Sequence, residues 1–143
     1  MYLSSPYDSQ NIFAKILRGE MPCFKVYEDE YAMAFLDIFP QGPGHTLVIP
    51  KIAATNFLTM PTDHLGPYMA SVQKVAKAVQ RAFEADGLTV FQFNGAAGGQ
   101  TVFHLHFHII PRQEGVGLKG HGQAGKAPEE DLIAQQAALI AAF

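Results

Sequence analysis

The order of apolar and polar positions divides the chain into recognisable elements. In QNIFAKILR, residues 10–18, Ile12, Phe13, Ile16 and Leu17 share one helical face, and Gly19 follows where a helix C-cap belongs. CFKVYED and YAMAFLDIF are apolar and aromatic runs separated by Asp29 and Glu30, the pattern of a β-hairpin. PQGPG at 40–44 breaks the chain before HTLVIP, a strand ended by Pro50, which has no N–H for a central ladder. Leu65, Tyr68, Met69, Val72, Val75, Ala76, Val79 and Phe83 keep the i, i+3, i+4, i+7 spacing of a long surface helix that stops near EADG. LTVFQFN and TVFHLHFHIIPR read as neighbouring antiparallel strands joined by GAAGGQ. After Arg112 comes QEGVGLKGHGQAGKAP, glycine-rich and expected to be mobile. PEEDLIAQQAALIAAF then opens with Pro and acids and continues as an amphipathic helix.

Composition narrows the class. At 143 residues, with 48% hydrophobic and 16% charged residues and a net charge of -3, the chain has an ordinary globular profile. Ten scattered Lys and Arg residues do not form a phosphate-tracking surface, so no nucleic-acid partner is expected. The single cysteine, Cys23, excludes an internal disulfide and a multi-cysteine metal site within one chain. No stretch resembles a signal peptide or a membrane span, so no membrane partner is expected and a cytoplasmic location is.

Half of the six histidines fall within five residues, at His104, His106 and His108. In a strand, alternate side chains share a face, so these three would form a row with Cβ spacings of about 6.6 Å. Leu105, Phe107 and Ile109 would face the other way. Three imidazoles are poor core material, since each has a donor and an acceptor to satisfy. The row could be a partly exposed face, or a metal site, although the neighbouring Asn94, Gly98, Gly99, Gln100 and Thr101 supply no further carboxylate. It could also be a nucleophilic site acting at phosphorus: a neutral imidazole attacks, flanking histidines stabilise phosphoryl oxygens, and backbone N–H groups of GAAGGQT bind the oxyanions.

HLHFHII matches the His-φ-His-φ-His-φ-φ pattern, φ being apolar, and the chain here resembles the histidine triad superfamily of nucleotide hydrolases and transferases. IFAKILRGEMP with VYEDEYAMAFLDIFPQGPGHTLVIPK is similar to the N-terminal half of its Hint-like branch, and NGAAGGQTVFHLHFHIIPR to its active-site segment. The likeness spans roughly residues 10–112, leaving 1–9 as an N-terminal extension and 113–143 as a variable tail of one single domain, residues 1–143. It implies that His106 is the nucleophile that forms a covalent nucleotidyl-histidine, with His104 and His108 on phosphate oxygens and leaving group and His45 as a fourth site histidine. It further implies ribose binding by Asp37, a phosphate segment at Asn94, Gly99, Gln100 and Thr101, and a purine pocket lined by Phe13, Phe35 and Ile38. On the residues alone, His45 also suits a satisfied histidine at a strand start and Asp37 a turn cap before Pro40, and periodicity favours the core over a pocket for the three apolar residues.

The expectation is therefore an α+β, HIT-like fold: an antiparallel sheet of about five strands, with a short N-terminal helix and a long central helix on the side away from the histidines, and a C-terminal helix. The resemblance implies a homodimer with joined sheets and hydrolysis of purine nucleoside phosphoramidates or related conjugates, without cofactor or metal. A Fhit-like dinucleoside polyphosphate hydrolase and a nucleotide-binding module with little turnover are the alternatives. Some members hold zinc through an N-terminal Cys-x-x-Cys, where this chain reads NIFAKI. Thr101 replaces a common serine, and the connection after Asn94 is one residue shorter than usual. Gly120, Gly122 and Gly125 spell G-x-G-x-x-G, and Gly120 to Lys126 spell G-x-x-x-x-G-K, but Ala127 stands where a P-loop needs Ser or Thr and no buried strand precedes them.

Overall fold

The computed structural model describes residues 3–122 and 124–143. In chain order it contains α1 (Ile12–Leu17), β1 (Lys25–Glu28), β2 (Ala32–Leu36), β3 (Thr46–Pro50), α2 (Thr62–Ala82), β4 (Gly87–Phe91), β5 (Phe107–Arg112) and α3 (Glu129–Ile140). The five strands form one antiparallel sheet in the order β1-β2-β3-β5-β4. This is the expected α+β architecture.

Side-chain alternation in the central strands supplies two apolar layers. Ala32, Ala34 and Leu36 of β2, Val48 of β3, and Leu105 and Ile109 meet Tyr68, Val72, Val75 and Val79 of α2, with Leu132 and Leu139 of α3 completing this larger cluster. On the opposite face Met33, Phe35, Leu47 and Ile49 meet Phe13 and Ile16 of α1. The N-terminal helix therefore lies on the histidine face, not away from it. Its short apolar stripe has that second layer as its partner, and Phe13 stands edge-on to His106 with ring centroids 4.9 Å apart.

Two strands are shorter than their apolar patterns. β4 ends at Phe91, leaving Gln92, Phe93 and Asn94 outside the ladder. β5 begins only at Phe107, so His104 and His106 precede the strand. Pairing of β3 with β5 accordingly stops at Val48 with Phe107. Beyond that point Pro50 has no N–H to offer, its carbonyl accepts the His104 ring N–H at 2.9 Å, and Leu105 N–H bonds Ala54 O at 2.8 Å instead. Leu105 and Ile109 still enter the α2 side, as alternation predicts, so the segment leaves the ladder without losing its two-faced character.

The glycine-rich tail is anchored to the turn before β3. Lys119 N–H bonds Gln41 O at 3.0 Å, Gln41 Nε2 bonds Lys119 O at 2.9 Å, and Ala127 N–H bonds Ile38 O at 2.9 Å. α3 then packs its buried Leu132 and Leu139 onto the sheet.

Candidate active site

A chain of hydrogen bonds assigns each imidazole its proton. His104 Nε2 lies 2.9 Å from Pro50 O, which can only accept, so Nε2 carries the hydrogen and Nδ1 accepts from Tyr7 Oη at 2.6 Å. His106 Nδ1 lies 2.7 Å from His104 O and must likewise donate. Its Nε2 therefore holds the lone pair, and this atom has no hydrogen bond among the described residues. His45 Nδ1 accepts Gln41 N–H at 3.0 Å, which puts the His45 hydrogen on Nε2, 2.9 Å from His108 Nδ1. His108 in turn carries its hydrogen on Nε2, a buried N–H with no partner among the described residues.

Burial makes this neutral assignment stable. His104 and His106 are 0% and 7% exposed. Desolvation pushes His106 and His45 down to about 4, with neighbouring imidazoles adding to it. Burial, then the rings of His106, His45 and His121, hold His108 down to about 2. Burial also lowers His104 and raises the Asp37 carboxyl, against the Phe39 N–H that favours its ionised form. Near pH 7 the site thus presents an unprotonated nitrogen on His106 beside an N–H donor on His108, whose rings are 4.9 Å apart.

The structure brings together some of the expected site residues and separates others. Asp37 Oδ1 caps the turn through Phe39 N–H at 2.8 Å, while Oδ2 stands 3.6 Å from His45 Nε2 and keeps acceptor capacity. Both ring nitrogens of His104 are taken, so this residue holds position and has no nitrogen left for a phosphate oxygen. Asn94 is committed too: its Oδ1 accepts Phe57 N–H at 2.9 Å and it bonds the Gln92 amide in both directions. Buried Gln100 accepts Gly95 N–H and donates to Thr55 O and Val102 O, bracing the loop from within. The N–H groups of Gly98, Gly99 and Gln100 close the same turn, leaving them unavailable as an oxyanion cradle. Gly99 is there for its φ of +103° and because a Cβ would press on Phe93 at 3.3 Å. In this segment Thr101 is exposed, and neither its N–H nor its hydroxyl has a hydrogen bond among the described residues. Phe13 and Phe35 pack edge-on at 5.3 Å in the smaller cluster, whereas Ile38 lies against the larger one.

Four residues near the histidines had no sequence signal that marked them. Tyr7 lies in the N-terminal extension. Phe91 stacks on His108 at 4.3 Å and 11°, and Phe93 stands 5.9 Å from the same ring. His121 belongs to the glycine-rich tail and meets His108 edge-on at 5.4 Å. Only the histidine count could have pointed to it.

Asp37, His45 and His108 also offer ligand atoms within 4.8 Å of one another, the one grouping among the described residues able to hold a cation. The Gln41 N–H works against that use, because it places a hydrogen on the His45 nitrogen that faces the others.

The HIT domain model matches residues 18–115. The chain belongs to the HIT family. A HIT-like protein of Bartonella henselae involved in cell-cycle regulation superposes with a TM-score of 0.89 at 53% identity, covering 96% of this chain and all of that one. An uncharacterised HIT-like protein of Methanocaldococcus jannaschii is 47% identical over 106 residues, 74% of this chain and 81% of its own. Two HIT relatives carry activity names. The adenylylsulfatase HINT3 of Arabidopsis thaliana is 39% identical over 78% of this chain and 56% of its own. The adenosine 5′-monophosphoramidase HNT1 of Saccharomyces cerevisiae is 37% identical over 75% and 65%.

Proposed function

We propose that this HIT chain is a nucleotide hydrolase that cleaves the α-phosphorus bond of purine nucleoside 5′-phosphoramidates or related nucleotide conjugates. The observation that carries it is the His106 tautomer: Nδ1 is tied to His104 O, so Nε2 presents a lone pair next to the His108 N–H. In the first step His106 Nε2 attacks phosphorus, an N–P bond forms, and the bond to the leaving amine breaks as the amine takes up a proton from solvent water. Water then attacks the nucleotidyl-histidine, the N–P bond breaks, and a nucleoside monophosphate leaves with His106 restored. Gln41, His45 and His108 form a file that keeps the hydrogen of His108 on Nε2, free to be donated to a phosphoryl oxygen. His104 and Tyr7 position His106 through its Nδ1 bond, a narrower part than contact with phosphate. Asp37 Oδ2 serves the ribose hydroxyls, and the Phe13 side of the sheet serves the base. The relatives named for adenylylsulfate and AMP-amidate cleavage support a mixed-anhydride or amidate leaving group, and the steps require no metal.

The reading also includes a homodimer joined through β4, an edge strand whose Val90 is exposed, and a cytoplasmic setting consistent with one free cysteine. No helix among the described residues is long and apolar enough to cross a membrane.

The test is to incubate the protein with an AMP-lysine phosphoramidate and, separately, a diadenosine polyphosphate, following AMP release and adenylyl-protein trapped by an alkaline denaturing quench, which spares the acid-labile N–P bond. AMP release with an adenylyl group mapped to His106, and abolished in His106→Ala, is expected. Activity surviving His106→Ala overturns the mechanism. Faster turnover of the polyphosphate would assign that substrate instead, and turnover of neither would leave a nucleotide-binding module.

A further inference from the structure

Two buried imidazole nitrogens at this site lack partners among the described residues: His108 Nε2 and His121 Nε2. Buried polar nitrogens are ordinarily bonded, so such a pair marks a place where a polar ligand belongs. The two rings meet edge-on at 5.4 Å, yet their nitrogens do not bond each other. His121 is held there by more than chance contact. Phe93 and Phe91 take its ring at 4.8 Å and 6.4 Å, both near perpendicular, and the Gln41–Lys119 bonds pin the preceding backbone. Gln41 is the same residue whose N–H sets the His45 tautomer, so a single turn positions both ends of the arrangement.

We propose that His121 is a fifth histidine of the site and that it binds, together with the His108 Nε2–H, a phosphoryl oxygen of the bound nucleotide. The inference rests on the nucleotide reading above and adds the tail to the binding machinery. His108 must donate there, by the proton assignment already made; with its hydrogen on Nε2, His121 supplies a second N–H, and an anionic oxygen can accept from both at once. The tail thereby closes the phosphate side of the site, on a segment that otherwise reads as connection.

Calorimetric titration of the full chain with AMP and with adenosine tests this. His121→Phe keeps an aromatic disc against Phe91 and Phe93 without either nitrogen, and His121→Ala removes both features. Each is expected to weaken AMP at least about 10-fold, the size of one hydrogen bond to a charged oxygen, and adenosine less than about 2-fold. In a His108→Gln background the same replacements should cost less than about 3-fold, since the shared oxygen has already lost its first donor. Unchanged AMP affinity, adenosine weakened as much as AMP, or wild-type affinity in His121→Phe would each overturn the assignment. A wild-type chain that binds neither ligand overturns the nucleotide reading and this one with it, whereas loss of the wild-type AMP–adenosine difference only in the variants supports the pair.

Discussion

Lowering the pH from 7 to 5 should destabilise this protein far more than an ordinary domain of its size. Three site histidines are held neutral in the folded state, His45 and His106 at about 4 and His108 at about 2, chiefly by burial. In the unfolded chain each returns to an ordinary imidazole near 6.5. Between those values the unfolded state binds more protons, so stability is complete above the unfolded pKa and is lost as the pH falls towards the folded one. At pH 5 the loss is about 2 kcal/mol for each residue, from 1.36 kcal/mol per unit of differential protonation. The three together reach roughly 4–6 kcal/mol, against a typical domain stability of about 5–15 kcal/mol. His104 acts in the same direction, while the raised Asp37 carboxyl acts in the opposite one, since the folded state takes that proton first. Urea denaturation at pH 7, 6 and 5 should show the midpoint falling steeply, and His106→Gln should flatten the slope by about one proton. A midpoint that does not move between pH 7 and 5 would refute the reasoning. So would ring resonances of His45, His106 and His108 in the folded protein that titrate near 6.5.

Tyr7→Phe removes the hydroxyl that His104 Nδ1 accepts and should cost about 1–3 kcal/mol, read as a lower urea midpoint, because a buried acceptor is left unmatched. Gly44→Ala should cost about 2–4 kcal/mol by the same measurement, since the position has φ +81° and the new Cβ would lie 2.7 Å from Phe83 and 2.9 Å from Pro111. AMP release from a phosphoramidate should change less than about 2-fold when the protein is stripped with chelator, given a nucleophile that is an uncoordinated nitrogen. Activity lost to the chelator and restored by zinc would instead favour a cation among Asp37, His45 and His108. Gln100→Ala should lower the midpoint by about 2–4 kcal/mol through three bonds lost inside the loop, an effect on folding and not on phosphate contact.

Periodicity alone sufficed for the elements whose signal is local. The stripe of α2, the paired runs of β1 and β2, and the alternation that sends Leu105 and Ile109 to one side and the histidines to the other all follow from which residues repeat at 3.6 or 2. The order of motifs was enough for the family. Strand ends were not legible, because the ladder beyond Phe107 fails for a reason lodged in another strand: Pro50 lacks an N–H and lends its carbonyl to His104. Nor was the side on which α1 packs, since an amphipathic helix shows which of its own faces is apolar but not which layer has room for it. The same limit explains why Gln100 and Asn94, donors and acceptors in a promising segment, turn out to be spent on the loop itself.

What the sequence by itself determined is the set of imidazoles in alternation and their division from an apolar face, a property of spacing along one strand-like segment. The tertiary structure alone decided which nitrogen of each ring carries the hydrogen. That choice depends on Pro50 O, 54 residues from the His104 ring it addresses, on the way the chain turns His104 O onto His106 and the Gln41 N–H onto His45, and on burial deep enough to keep the rings neutral. It also brought Tyr7 and His121 from opposite ends of the chain to the same row, where a hydrogen-bonding need, and no local pattern, gives each of them a role.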